Sequence, residues 1–228
     1  MLSALAIVPS PPLLVPELAS SAAAETEELR AAAIAAAAGL PPRWIAVGVA
    51  AGDAVHGPGS CGTFAGYGVD VRVGLSPGPA GEPVALPLCS LVTGWLRGQA
   101  RPEAQAEVHA FRSDLDAESA LRQGGLLRQT IDARGDEVGV LVVADGANTL
   151  TATAPGGHDP DSVPVQDALD DALARGDAAA LRSLPEGIVG RVAYQVLAGL
   201  IGTGPQSATE LYRGAPYGVG YFVGVWAP

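Results

Sequence analysis

The stretch Val138–Ala144 reads Val-Gly-Val-Leu-Val-Val-Ala, without one polar side chain, and stops on Asp145. A strand with one wet face alternates polar and apolar residues. A strand apolar at every position needs cover on both faces, which helices above and below a parallel sheet provide. Ala4–Val8 and Trp44–Val49 are runs of the same kind, the first stopped by Pro9. Val69–Val73 alternates, and Ala106–Phe111 reads as a further strand.

Between these runs the spacing turns helical. One Ala-rich helix is expected over Pro16–Ala38, closed by Gly39 and the Pro41-Pro42 pair. Leu91–Gln99 forms a short helix, and Leu121, Leu126, Leu127 and Ile131 set the helical spacing of Ala117–Ala133. Val165–Arg175 and the more apolar Ile188–Ile201 follow. Gly, Pro and polar content make loops of Ala51–Gly66, Ser76–Pro83 and Asp145–Pro164. Two β-like runs within Ala208–Trp226 flank Gly214–Gly218. Strands alternating with helices predict a single α/β domain over residues 1–228, with a central mixed, largely parallel sheet flanked by helices. No internal repeat or linker divides it.

Twenty-four acidic residues stand against thirteen basic ones, all Arg, for a net charge of -11. A field of that sign repels phosphate backbones, so no nucleic-acid partner is expected, and docking on anionic membrane is disfavoured. No run approaches the roughly 18 apolar residues of a membrane span. The segment before Arg30 lacks the positive start of a secretory signal, and Pro9, Pro11, Pro12 and Pro16 interrupt its apolar run. Cys61 and Cys89 are too few for a disulfide framework, so a reduced, cytoplasmic setting is expected.

Ligands of open α/β sheets bind beyond the carboxyl ends of the strands. That rule singles out Pro9-Ser10-Pro11, Ala51–His56 and Asp145–Asn148. Asp145, closing an apolar strand, must find a partner, whether in a cleft or among the amides of its own loop. Ser10 either offers a hydroxyl to the cleft or caps the proline turn. His56 lines the cleft or lies in a solvated loop. Cys61, five residues on, suggests a Cys-His nucleophile pair with no legible third group. His109 reads as structural, and His158 either lines the cleft or is a hydrogen-bonded residue of its loop. Pro58 breaks a Gly-x-Ser-x-Gly elbow at Ser60, and without Lys no phosphate loop follows.

Three segments, in order, carry a family resemblance. Ile7-Val8-Pro9-Ser10-Pro11-Pro12-Leu13-Leu14 resembles the opening of class III extradiol ring-cleavage dioxygenases of the protocatechuate dioxygenase beta-subunit type, and of their MEMO-like relatives. Asp145-Gly146-Ala147-Asn148, with Ala154-Pro155-Gly156-Gly157-His158-Asp159-Pro160 behind it, is similar to the family's Gly-Asp-Leu-Ser-His segment and trailing loop. Gly214-Ala215-Pro216-Tyr217-Gly218-Val219-Gly220-Tyr221 resembles its C-terminal Pro-Phe-Gly-Val-Gly-Tyr strand.

The resemblance implies that family's α/β fold, with iron(II) held by two histidines and a carboxylate and a further histidine as acid/base. Here the first metal histidine falls on Ser10 and the acid/base on Asn148. His56, in His56-Gly57-Pro58, resembles the second metal histidine, and Glu210 is the carboxylate candidate. The expectation is a degenerate metal site and no bound cofactor. Ser10, Pro11, His56, Asp145 and Asn148 would line a retained cleft, with Asp145, Asn148 and His158 at catalytic positions. Such a chain binds a small ligand or a partner without ring cleavage, as a possible homo-oligomer. One alternative is an iron(II) dioxygenase with ligands drawn from His56, His158, Asp145 and Glu210. Another is a metal-independent enzyme using Asp145, His56 or Cys61.

Overall fold

Apolar runs and helical spacings resolve, in the computed structural model, into nine strands and six α-helices among the described residues, 1–19, 23–78 and 81–228. The strands are β1 (Leu2–Val8), β2 (Arg43–Ala50), β3 (Ala54–His56), β4 (Cys61–Thr63), β5 (Arg72–Gly74), β6 (Gln105–Arg112), β7 (Val138–Val143), β8 (Ser207–Gly214) and β9 (Tyr221–Ala227). The helices are α1 (Pro16–Ala19), α2 (Glu27–Ala38), α3 (Leu88–Ala100), α4 (Ala117–Ala133), α5 (Ser162–Arg175) and α6 (Arg191–Ile201).

Seven strands form one sheet in the order β3-β6-β2-β7-β1-β9-β8. Its centre, β6-β2-β7-β1, is parallel, while β3, β9 and β8 add antiparallel edges. β7 slots between β1 and β2, with Val143 beside Val8 and Gly48, and every one of its residues is buried. Leu5 and Ile7 face the layer of α4, α5 and α6, whereas Ala6 and Val8 face α2 and α3. The result is an α/β fold with a mixed, centrally parallel sheet covered on both faces.

Packing of α4 on α6 depends on two glycines. A Cβ on Gly124 would lie 2.1 Å from the Val196 carbonyl oxygen, and one on Gly199 would lie 2.0 Å from that of Leu121. Bare backbone lets the two helices touch, and this brings α6 down onto the sheet.

Three expected elements differ. Within the helix expected over Pro16–Ala38 stand two, α1 and α2, joined through a turn at 24–26; residues 20–22 lie outside the described residues. Arg30 of α2 donates from Nε to the Leu14 carbonyl at 2.8 Å, tying α2 to the turn that precedes α1. The glycine-rich loop 51–66 contains β3 and β4, whose three residues each are too few to show a period. The strand expected over Val69–Val73 is β5 at Arg72–Gly74, because Gly68 turns the chain at φ +108°.

Candidate functional site

Adjacent parallel strands end side by side, so the turns after β1 and β7 meet. The Ala144 amide still donates to the Val8 carbonyl at 2.9 Å, one step past the strands. One residue further on, Ser10 faces Asp145. The Ser10 hydroxyl donates to Asp145 Oδ2 at 2.6 Å, and its amide donates to Oδ1 at 2.7 Å. Burial raises the Asp145 carboxyl above its usual range, while Ser10's hydrogen bonds pull it back. The acid that closes the apolar strand therefore finds its partner on the neighbouring strand's turn.

A polar scaffold surrounds this pair. Tyr194, buried in α6, donates its hydroxyl to the Ala144 carbonyl at 3.0 Å. Burial holds its phenol well above the ordinary range, and the negative charges of Asp145 and Asp170 add to the rise. The Asp145 carbonyl accepts from Gly190 at 2.8 Å, and the Gly146 amide donates to Gly220 at 2.8 Å. From α5, Gln166 Oε1 accepts from the Ala147 amide at 2.8 Å, while its Nε2 donates to Asp170 Oδ1 at 2.8 Å. The Gln166 side chain is wedged between two glycines: a Cβ on Gly146 would lie 2.0 Å from it, and one on Gly220 2.2 Å.

Of the residues expected in the cleft, Ser10 and Asp145 come together. Pro11 is buried beside them, its carbonyl accepting from Leu14 at 3.1 Å. Asn148 points elsewhere: its Oδ1 sits 2.5 Å from where a Gly156 Cβ would be, and its carbonyl accepts from the Gly156 amide at 2.9 Å. Among the described residues it makes no side-chain hydrogen bond to Ser10 or Asp145. His158 is exposed on the trailing loop.

His56 does not join this group. It pairs with Val108 on edge strand β3, level with Ala46 and so with Leu141, four residues short of Asp145. Three strand spacings separate β3 from β7, roughly 14 Å at ~4.8 Å each. Its Nε2 is buried with no hydrogen-bond partner, while Cys61 Sγ donates to the Gly81 carbonyl at 2.9 Å, so no Cys-His pair forms. His109 lies on β6 and bonds Glu107 at 2.8 Å. Glu210 lies on the opposite edge strand, β8, where Oε2 accepts from Arg213 Nη2 at 2.6 Å.

These placements test the implied iron. A facial triad needs three donors around one point. His56 and Glu210 sit on opposite edges of a seven-stranded sheet, six spacings or roughly 29 Å apart. Both oxygens of Asp145 are engaged by Ser10. Among the described residues no cluster of three or more His, Cys, Asp or Glu side chains suits a metal ion. The donor set does not fit iron(II).

Tyr194, Gln166 and Asp170 were not singled out from the sequence. Gln166 and Asp170 had a signal: a polar pair at i and i+4 on a helix face whose other members, Leu169, Ala172 and Leu173, are buried.

Neither a family model nor a curated protein matches the sequence. Among solved structures, an uncharacterized protein of Escherichia coli K12 superposes with a TM-score of 0.62 at 10% identity, covering 99% of this chain and 100% of that one. That likeness concerns the fold. No helix among the described residues is long and apolar enough to cross a membrane.

Proposed function

We propose that this chain belongs to the class III extradiol dioxygenase and MEMO-like superfamily, keeps the cleft at the carboxyl ends of β1 and β7, and binds a small ligand there without iron or ring cleavage. The observation that carries this is the Ser10–Asp145 pair. Ser10 occupies the turn where the family places a metal histidine, and both of its donors are committed to Asp145. A hydroxyl so held is a poor iron ligand, and its partner is a carboxyl made less acidic by burial.

The test is elemental analysis of protein purified without chelators, followed by oxygen uptake with protocatechuate and added iron(II). Substoichiometric iron and no uptake above background are expected. Near-stoichiometric iron together with consumption of the catechol would overturn the proposal. A metal-independent enzyme is the second reading. It is favoured by the burial that raises the Asp145 carboxyl above its usual range, the direction in which a general acid is tuned.

A further inference from the structure

We infer that the cavity between α5 and β8 is a binding site for a small organic ammonium ion, anchored by the carboxylate of Asp170. The cavity measures about 320 Å³, within the range of small-molecule sites. Leu150, Val163 and Ala215 give it an apolar wall, and Gln166, Asp170 and Arg213 give it a polar one. Asp170 is only 7% exposed. Its Oδ1 accepts from Gln166 at 2.8 Å, and among the described residues its Oδ2 accepts no hydrogen bond.

A buried carboxylate calls for a countercharge. Arg213 faces it but is already committed. Its Nε and Nη2 donate to Glu210 at 2.9 and 2.6 Å, and its Nη1 donates to Asp171 at 3.1 Å. Arg175, further along α5, is likewise paired with Asp171 at 3.3 Å. Asp167 adds a negative charge at the exposed mouth, and Tyr194 of α6, near enough to feel the charge of Asp170, spends its hydroxyl on the Ala144 carbonyl. The pocket thus holds more acid than base, with one carboxylate oxygen free.

The chemistry of the wall selects the cation. A metal ion needs several acidic or imidazole donors about one point, and no such cluster exists among the described residues. An ammonium group needs one strong acceptor, and the apolar wall suits the stem that carries it. This site stands apart from the iron-free reading, since it uses neither Ser10 nor Asp145.

Ionisation of Asp170 makes the site testable by pH. Burial pushes its carboxyl up to about 6; Gln166 and Arg213 pull it down, and Glu210 and Asp167 push it up. Only the ionised form attracts a cation, so affinity should climb as pH rises through 6.

Benzylamine, benzyl alcohol and benzoate are titrated into the full chain, followed by amide chemical shifts in two-dimensional NMR. At pH 7.5, benzylammonium should move the amides of Leu150, Thr151, Gln166 and Ala215. The alcohol and benzoate should bind roughly tenfold or more weakly, having no charge to match or the wrong one. At pH 5 the ammonium, still protonated, should bind about tenfold more weakly. Asp170→Asn retains the side-chain shape and an acceptor for Gln166, and should lose roughly tenfold or more of the affinity. Asp167→Asn, at the mouth, should lose less. The pH comparison uses the native chain and so survives a variant that fails to fold. Equal binding of amine and alcohol, binding indifferent to pH, undiminished binding in a folded Asp170→Asn, or no shifts at these amides would each overturn the inference.

Discussion

Asp145 and Asp170 are two carboxyls drawn into the same end of the protein, both raised by burial, yet they differ in how their oxygens are used. At Asp145 both oxygens accept from one residue, Ser10, and among the described residues no basic side chain contributes to holding its charge. At Asp170 one oxygen accepts from Gln166, while the other accepts no hydrogen bond among the described residues, and the residue lines a cavity. Gln166 connects the two, bonding Asp170 with its amide nitrogen and the loop that carries Asp145 with its oxygen. A closed pair locks two strand ends in place. An open carboxylate is left able to take a ligand. Burial alone therefore does not say whether an acid is already paired or still open to a new partner; the count of satisfied oxygens does.

The largest effect should come from breaking the closed pair. Asp145→Ala strips the acceptors from both the Ser10 amide and hydroxyl, which are part-buried. Each orphaned donor costs about 1–3 kcal/mol, so urea unfolding should show a loss of about 3 kcal/mol. Asp145→Asn, which keeps one acceptor, should lose less. A loss in Asp145→Ala below about 1 kcal/mol would mean that water replaces the carboxylate freely and that the turn is open.

Next in size is the connection itself. Gln166→Ala orphans the Ala147 amide and removes the wedge between Gly146 and Gly220. About 2 kcal/mol of stability should go with it, most of it the desolvation of an unpaired amide. Hydrogen exchange at Ala147 should quicken, while exchange in α4, on a separate part of the layer, should hold. Unchanged exchange at Ala147 would show that the two acids are held independently, and the comparison between them would then lose its physical link.

Much of this was written in the chain. β7 was legible to within a residue, because a strand buried on both faces has no polar position to blur its ends. α4 matched at both ends, its start marked by Asp116, which accepts from the Ser119 amide at 2.8 Å. That Asp145 needs a partner followed from its place after an apolar run. That the partner is Ser10 required knowing that β1 and β7 are neighbours, and this long-range pairing leaves no local trace. His56 was misplaced for a similar reason: a three-residue strand has no readable period, and its pairing with β6 carries it back along the sheet edge. The fold was thus more legible than the site, because burial patterns are local and convergence is not.

The smallest expected effect is a null one. If the family histidine were restored by Ser10→His, one imidazole would return to the turn after β1. A zinc or iron site then needs two more donors within about 2 Å of the metal. Those the resemblance suggested, His56 and Glu210, lie on opposite edge strands, roughly 14 Å and 10 Å from the strands that end at the site by spacing alone. Isothermal titration with zinc should therefore give the same weak binding in wild type and Ser10→His, within about twofold. The variant would instead be less stable, because Asp145 would lose the hydroxyl that donates to its Oδ2. A tightening of tenfold or more would place a second imidazole or carboxylate at this turn. Asp145, released from Ser10, is then the nearest available ligand, and a closed structural pair would have become a metal site by a single substitution.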